Sequence, residues 1–413
     1  MIEKTTLPNG VRIMTDRLDY VRSASFGIWV GAGSRHESAK YAGASHALEH
    51  MVFKGTASRS AAEIAEFTDS IGGQFNAFTT KECTCFYGRA IESHLSEALE
   101  LICDIFFDPL LSEMDWRTER GVIIEEIDMY EDAPEDLVSE RLFSGVFRGS
   151  PLGRPILGNR RSLSAMTAED LRAYRDEKYG GIVVSLAGMY ADEHLRYLTD
   201  RFSAVKPPPN PDEKPASYFP VMTVKKKRIE QNHWCVSFPG LPAGDKRRHT
   251  LQVLSGILGG GMSSRLFQNV RERAGLCYEI SSFVAPHRDV GVFGIYSAMN
   301  REAERKAIPL IFETLKDMAE HGPTDAEVNR TREQLKSSAV MSLESTQNRM
   351  NHMGQSELTL GEVLSLDEMM ARCDAVTKEA CRDMAARILD FDMLGFSAVG
   401  KVDESDKYEE LFK

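Results

Sequence analysis

The sequence predicts an α+β protein made of two tandem, homologous α/β-sandwich domains. Three observations lead to this prediction. Strand and helix patterns mix without regular βαβ alternation, a proline-rich stretch lies near mid-chain, and the two halves share similar segments in the same order. The 413 residues are enough to build two large cores.

The mid-chain stretch predicts a linker. Residues 206–215 read Lys-Pro-Pro-Pro-Asn-Pro-Asp-Glu-Lys-Pro, a composition typical of an extended connection. We therefore divide the chain into a first domain at 1–205, a linker at 206–217 and a second domain at 218–413.

The two halves resemble each other in several places. A shift of 206 positions brings Gly55–Arg59 onto Gly261–Arg265 and Ile64 onto Val270. Each half also ends alike, with Ser-Leu-Ala-Gly at 185–188 and Phe-Ser-Ala-Val-Gly at 396–400. Similarities in a constant order over so long a period indicate a duplicated domain and exclude a solenoid of short repeats.

Residue patterns predict the elements of the first half in chain order. They give a strand over 23–30 ending at Gly-Ala-Gly, a helix over 60–70 before Gly72-Gly73, strand structure over 74–90, and helices over 95–107 and 114–130.

Composition and charge narrow the class of protein. A net charge of −12 argues against nucleic-acid binding. No apolar stretch is long enough to cross a bilayer, and the N-terminus lacks an export signal. Seven scattered cysteines do not form a disulfide framework and favour a reducing compartment. We expect a cytoplasmic protein without a membrane or nucleic-acid partner.

The segment His46-Ala47-Leu48-Glu49-His50 carries the chemistry. On a helix, His46, Glu49 and His50 share one face, so both imidazoles can bind a single Zn²⁺. Glu49 lies close enough to accept a proton from a zinc-bound water without being a ligand. The alternative is that the two histidines are structural and make their hydrogen bonds inside the protein core.

A catalytic zinc needs a third protein ligand. The predicted helix over 114–130 offers carboxylates at Glu119, Glu125 and Glu126. Glu119 and Glu126 are seven residues apart and share a face, whereas Glu125 points about 100° away from Glu126. Carboxylates on a face with apolar neighbours need a partner, which zinc would supply.

The chain resembles the pitrilysin-type (inverzincin) zinc metallopeptidases, and among them the bacterial relatives of the mitochondrial processing peptidase. The likeness covers nearly the whole chain and rests on a series of runs in order. These are Leu-Pro-Asn-Gly at 7–10, Gly-Ala-Gly-Ser-Arg at 31–35, the 46–56 run that begins with the histidine motif, Gly-Gly-Gln-Phe-Asn-Ala-Phe-Thr at 72–79, Glu-Glu-Ile at 125–127, Asp-Ala-Pro at 132–134 and the run at 151–158.

This resemblance implies a role for several residues. The family's third ligand is a glutamate 76 residues after the second histidine, which is Glu126, and a glutamate seven residues earlier that supports catalysis is Glu119. The strand around Asn76 and Ala77 is expected to bind the substrate backbone. An Arg/Tyr pair seven residues apart that reaches toward the substrate corresponds to Arg271 and Tyr278.

The resemblance also implies a function. We expect domains of the pitrilysin/processing-peptidase type and a zinc-dependent endopeptidase that hydrolyses unfolded peptides in an enclosed chamber, with Glu49 activating a zinc-bound water. The family's clamshell has four domains, so two per chain imply a homodimer, or a heterodimer with an inactive paralogue. The alternatives are a subunit of a heterodimeric processing peptidase and a non-catalytic scaffold of the respiratory-complex core type.

The duplication assigns different tasks to the two domains. In the second half, the positions that correspond to His46, Glu49, His50 and Glu126 are Gln252, Ser255, Gly256 and Ala339. None of them can replace the ligands or the base. Domain 1–205 is therefore expected to be the catalytic zinc-binding domain, and domain 218–413 a non-catalytic one that contributes substrate-binding residues.

Overall fold

The computed structural model describes residues 2–206 and 215–411. Residues 207–214 of the expected linker lie outside this range. The chain forms two compact units. The first unit consists of Met1–Ile127, Arg154–Glu213 and Val340–Ser365, and the second unit of Asp128–Gly153, Lys214–Ala339 and Leu366–Lys413.

A six-stranded sheet forms the centre of the first unit. Its strands are β1 (Ile2–Thr6), β2 (Arg12–Arg17), β3 (Ser23–Val30), β4 (Gln74–Thr79), β5 (Thr84–Ile91) and β6 (Val183–Gly188). They lie in the order β1-β2-β6-β3-β5-β4, so β4 is an edge strand. The pair β2–β6 is parallel, and the other neighbours are antiparallel.

Helices from the first half of the chain are α1 (Ala44–Met51), α2 (Ala61–Ser70), α3 (Leu95–Phe107), α4 (Glu113–Asp132), α5 (Pro134–Val146), α6 (Arg160–Ala165), α7 (Ala168–Lys178) and α8 (Asp192–Ser203). Their ends follow the capping rules. The Ser60 hydroxyl, for example, accepts a hydrogen bond from the Glu63 amide at the start of α2, and the Glu63 carboxylate in turn accepts a bond from the Ser60 amide.

The second unit repeats this arrangement around a five-stranded sheet. Its strands are β7 (Val221–Lys226), β8 (Asn232–Pro239), β9 (Glu279–Pro286), β10 (Gly291–Met299) and β11 (Gly395–Gly400). The order β7-β11-β8-β10-β9, with the β7–β11 pair parallel, matches β2-β6-β3-β5-β4 of the first sheet. The predicted duplication is therefore confirmed at the level of strand topology.

Helices from the second half are α9 (Arg248–Gly259), α10 (Arg301–His321), α11 (Asp325–Ser342), α12 (Thr346–Leu360), α13 (Leu366–Asp374), α14 (Lys378–Ile388) and α15 (Ser405–Leu411). A π-helical segment, Phe267–Arg273, precedes β9. Along the residues that the structure describes, no helix combines the length and apolar character needed to span a membrane.

Alternation along the strands explains why each sheet is covered on both faces. In β3, Phe26 and Ile28 face a core shared with α3, whereas Trp29 faces the opposite side. That opposite side is covered by α12, through Met350 and Met353. A helix from late in the sequence thus completes the first unit.

The second unit is likewise completed by a helix from the other half of the chain. Its sheet packs on one face against α9, α10 and α14. The other face is covered by α5, a helix from the first half, whose Val138, Leu142 and Val146 contact Cys235 and Val399. The compact units therefore differ from a simple division of the chain at the linker, because each one takes a helix from the opposite half.

Most predicted elements of the first half agree with the structure. The strand over 23–30 and the helix over 95–107 have the predicted bounds, and α2 and α4 differ by one or two residues. The stretch 74–90 is two strands, β4 and β5, joined by a tight turn at 80–83. The amide of Thr80 donates to the carbonyl of Cys83 at 2.8 Å, which closes this hairpin.

The similar ends of the two halves have a structural cause. β6 and β11 both end in a glycine with positive φ, +123° at Gly188 and +144° at Gly400. A Cβ on Gly188 would lie 2.3 Å from the Ser23 carbonyl oxygen, and one on Gly400 would lie 2.4 Å from the Asn232 side chain. Only glycine meets both requirements at these positions.

Candidate metal centre

Helix α1 carries the histidine motif and starts at an unusual cap. Gly43, with φ of +93°, precedes the helix, and the carboxylate of Glu37 accepts hydrogen bonds from the amides of Gly43 (2.7 Å) and Ser45 (2.8 Å). A carboxylate at this end also complements the helix dipole. Burial raises the pKa of Glu37 to about 7, against the opposing effect of these amides.

Helix α4 lies against α1 and supplies the acidic residues. Ala47, Leu48 and Met51 of α1 share a core cluster with Trp116 and Ile123 of α4. On α4, the positions 116, 119, 123 and 126 follow helical spacing, so the two carboxylates lie on the same face as the packed tryptophan and isoleucine. Packing of the two helices therefore directs Glu119 and Glu126 toward the histidines.

Three possible ligand atoms, from His46 and His50 of α1 and Glu126 of α4, lie close together. Glu126 Oε2 lies 3.6 Å from His46 Nε2 and 3.5 Å from His50 Nε2. One possible ligand atom from each residue lies within 4.8 Å of the others. Among the described residues, this is the one group of three or more potential ligands so close together. Two imidazole nitrogens and one carboxylate oxygen are a donor set that fits Zn²⁺.

The environment keeps His46 in the form that binds metals. Burial, together with the neighbouring His50, lowers the pKa of His46 to about 4, against the opposing charge of Glu126. A neutral imidazole has a lone pair available for a metal at neutral pH. The hydrogen bond with His50 lowers the pKa of Glu126, which therefore remains an anionic ligand.

A second carboxylate orients His50. Glu119 is 5% exposed, and its Oε2 lies 3.2 Å from His50 Nδ1. If Nδ1 donates this hydrogen bond, the lone pair of Nε2 points toward Glu126. The other oxygen of Glu119 forms a 2.7 Å ion pair with Lys54 Nζ. Lys54, Glu119 and His50 thus form a continuous chain of polar contacts.

Glu49 lies beside the ligand group without joining it. Its Oε2 accepts a 2.6 Å hydrogen bond from the Thr79 hydroxyl of β4. Burial raises the pKa of Glu49, whereas the Thr79 hydrogen bond and the charge of His50 oppose this effect. A carboxylate of this kind, held next to a metal site, can act as a general base.

Other predicted residues have different surroundings. Glu125 is exposed and lies outside the ligand group. Of the three carboxylates considered on α4, Glu126 alone belongs to that group, whereas Glu119 contacts the other ring nitrogen of His50. Asn76 and Ala77 lie on the edge strand β4, where Asn76 Oδ1 accepts a 2.8 Å hydrogen bond from the Ala77 amide.

The second unit contains the predicted Arg/Tyr pair. Arg271 belongs to the π-helical segment, and its guanidinium carbon lies 4.6 Å from the ring centre of Phe267 and 4.8 Å from that of Tyr278. The Tyr278 side chain is 76% exposed. Arg271 is thus held by two aromatic rings, an arrangement that limits its motion.

Lys54, Thr79 and Glu37 contribute contacts to the site that the sequence alone does not predict. Lys54 and Thr79 lie within the runs at 46–56 and 72–79 that carry the family resemblance, so the sequence marks their neighbourhood. A lysine or a threonine is common in any protein, however, and its role at a site becomes visible only from its contacts in the structure. Glu37 lies nine residues before His46, and nothing in its local pattern marks it as a helix cap.

Two family models match the chain. One, described as insulinase (peptidase family M16), matches residues 12–160, and the other, described as the peptidase M16 inactive domain, matches residues 165–335. The first range contains the ligand group.

Curated relatives resemble the chain over nearly its whole length. A protein named uncharacterized zinc protease YmxG, from Bacillus subtilis, is 40% identical over 396 residues, covering 95% of this chain and 97% of its own. An uncharacterized zinc protease of Streptomyces coelicolor is 39% identical over 400 residues, covering 94% of this chain and 87% of its own.

Solved structures share the fold at lower identity. A protease from Helicobacter pylori matches with a TM-score of 0.89 and 21% identity, over 97% of this chain and 99% of its own. A chain of complex III from Candida albicans matches with a TM-score of 0.85 and 18% identity over the full length of both chains.

Proposed function

Because this chain belongs to peptidase family M16, the insulinase family, and is a zinc metallopeptidase, we propose that it is an endopeptidase that cleaves extended, unfolded peptides. The observation that carries this proposal is the convergence of His46, His50 and Glu126, with Glu49 beside them on the same helix face. In this proposal, those three residues hold the metal, and Glu49 does the proton transfer.

Zinc, when bound, would supply Lewis acidity that polarises the scissile carbonyl and favours deprotonation of water. Glu49 takes a proton from the attacking water and delivers it to the leaving amine. Its buried setting suits both tasks, since burial raises its pKa toward the range in which a carboxyl can accept a proton and release it again. Glu119 holds His50 in the tautomer that leaves Nε2 free.

Edge strand β4 provides a binding surface for an extended peptide. Thr80 and Cys83 form a hydrogen-bonded pair, so the alternation of an antiparallel ladder turns the main-chain groups of Phe75, Ala77 and Thr79 away from β5. A peptide that adds a strand here pairs with those groups. Its carbonyl would replace the Asn76 side chain at the Ala77 amide, which frees the carboxamide to bind the peptide as well.

Arg271 and Tyr278 are proposed to bind the substrate backbone. In the described part of the chain, the Arg271 guanidinium makes no hydrogen bond or ion pair, and its two ring contacts leave its N–H donors available. Such donors can bind a peptide carbonyl or stabilise developing negative charge on it. The exposed Tyr278 hydroxyl can add a further hydrogen bond.

We further propose that two chains associate as a homodimer that encloses a chamber, as the family resemblance implies. Gel filtration of the active enzyme tests this idea, and a strict monomer with full activity would contradict it.

A cytoplasmic location is also proposed, because all seven cysteines are free thiols. The likeness to a complex III chain concerns the fold alone, and the convergent ligand group favours an enzyme over a scaffold.

Cleavage of an unstructured peptide of about 20 residues, followed by mass spectrometry, tests the proposed activity. Internal cuts that stop when a chelator removes the metal and resume when Zn²⁺ is restored are expected. The same sequence inside a stably folded protein should resist cleavage, because it cannot pair with β4. Removal of single terminal residues, or metal-independent cleavage, would contradict the proposal.

A further inference from the structure

We infer that Thr79 is a positioning residue, which fixes the base Glu49 relative to the strand that binds the peptide. This inference rests on the proposed function and adds a residue to it. Thr79 is the last residue of β4, and its hydroxyl lies 2.6 Å from Glu49 Oε2. A bond this short between a hydroxyl and a carboxylate is typical of a strong, charge-assisted contact.

The Thr79 hydroxyl restrains the side chain of Glu49 through a hydrogen bond. Among the described residues, Thr79 is the one hydrogen-bond donor to Glu49. A glutamate has three rotatable side-chain bonds, so a carboxylate without a partner would sample several rotamers. With Oε2 occupied, Oε1 is left to exchange a proton, and its position is set by the strand.

The main-chain N–H and C=O groups of Thr79 also face the proposed peptide site. The alternation that directs Ala77 outward does the same for Thr79, two residues further along β4. One residue therefore offers its backbone groups to the peptide and its side chain to the base. Because a β-strand is rigid over such a short span, the register of a bound peptide and the position of Glu49 are set by the same residue.

The neighbouring Thr80 provides a matched control. Its hydroxyl accepts hydrogen bonds from the amides of Glu82 (3.2 Å) and Cys83 (2.9 Å), so it stabilises the hairpin turn and makes no bond to Glu49. Replacing either threonine by valine removes a hydroxyl and keeps the shape of the side chain. A purely structural role for this end of β4 would make the two variants alike.

The experiment compares Thr79→Val, Thr79→Ser and Thr80→Val by peptide turnover and by zinc content. Thr79→Val is expected to lower kcat about tenfold or more, with KM and zinc per chain within about twofold of wild type. Thr79→Ser, which keeps the hydroxyl, should recover most of the loss. Thr80→Val should leave kcat within about twofold of wild type and lower only the urea midpoint.

A double-mutant cycle gives a readout that does not depend on turnover. In the zinc-free protein, Thr79→Val is expected to lower the urea unfolding midpoint when Glu49 is present, and to have little effect in the Glu49→Ala background. Equal shifts in both backgrounds would overturn the inference, because the hydroxyl would then act without Glu49.

Other outcomes separate this inference from the proposed function. If wild type cleaves the peptide and Thr79→Val has the wild-type kcat, only the role of Thr79 is wrong. The same holds if Thr79→Ser is as slow as Thr79→Val, or if Thr80→Val is equally slow. If zinc-loaded wild type cleaves no peptide, the proposed function fails, and the role of Thr79 fails with it.

Discussion

Replacing Gly354 by alanine tests the exchange of helices between the two halves of the chain. Gly354 lies inside α12, where alanine is ordinarily favoured over glycine by about 1 kcal/mol. In this protein, however, an added Cβ would lie 1.9 Å from Trp29 Nε1 and 2.3 Å from Trp29 Cε2. The substitution therefore sets helix propensity against packing.

The structure indicates which effect is larger. Trp29 is 1% exposed, and its Nε1 donates a 2.9 Å hydrogen bond to Ser185 Oγ, so the ring cannot move without breaking that bond. Overpacking a core costs about 1–3 kcal/mol, and the lost hydrogen bond about 1 kcal/mol more. The helix-propensity gain of about 1 kcal/mol offsets the lost hydrogen bond, so we expect Gly354→Ala to reduce the free energy of unfolding by about 1–3 kcal/mol.

Urea denaturation followed by circular dichroism measures this change. Gly121, an exposed glycine in α4, serves as the matched control, because a Cβ added there would meet no atom of a neighbouring element within 4 Å. Gly121→Ala should stabilise the protein by up to about 1 kcal/mol. If Gly354→Ala were as stable as wild type or more stable, α12 would not pack against β3 as described.

Three further substitutions test the surroundings of the ligands. Glu119→Gln is expected to weaken zinc binding by about 10- to 100-fold, because His50 loses its anionic partner; wild-type affinity in a chelator competition would contradict this. Lys54→Met should weaken zinc binding by a smaller factor, because Glu119 loses its ion pair with Lys54. Tighter zinc binding in this variant would count against the chain of contacts from Lys54 through Glu119 to His50. Because burial raises the pKa of Glu37 to about 7, the folded chain retains a proton there that the unfolded chain releases near pH 4.5. The stability of wild type relative to Glu37→Gln should therefore fall by up to about 3 kcal/mol as pH rises from 4.5 to 7, and a constant difference would disprove that linkage.

Local patterns were sufficient to predict much of the fold. The strand-like pattern of β3 ends at the turn signal Gly31-Ala32-Gly33, apolar residues recur at helical spacing along α3, and similar segments at a constant offset indicate the duplication. The sequence pattern does not indicate the hairpin turn at 80–83, because its residues Thr-Lys-Glu-Cys include no Gly, Pro, Asn, Asp or Ser. Its hydrogen bonds, from Thr80 to Cys83, depend on backbone geometry that composition does not reveal.

Long-range packing accounts for what the sequence could not predict. α12 is far from β3 along the chain, and its place depends on contacts such as the 2.9 Å bond between the Ser25 and Thr346 hydroxyls, which are 321 residues apart. The same holds around the metal centre. Helix spacing predicted the face of His46, Glu49 and His50, whereas the role of Thr79 follows only from the position of a distant strand.

The decisive measurement is a comparison of wild type with Glu49→Gln in two assays on the same samples, peptide turnover and zinc per chain. Since Glu49 is beside the ligand group and is not one of the three converging ligands, the variant should bind as much zinc as wild type. Its turnover should fall by about 10²–10⁴-fold, because the amide cannot accept the proton of the attacking water. Wild-type turnover in the variant, or loss of its zinc, would contradict the assignment of Glu49 as the base.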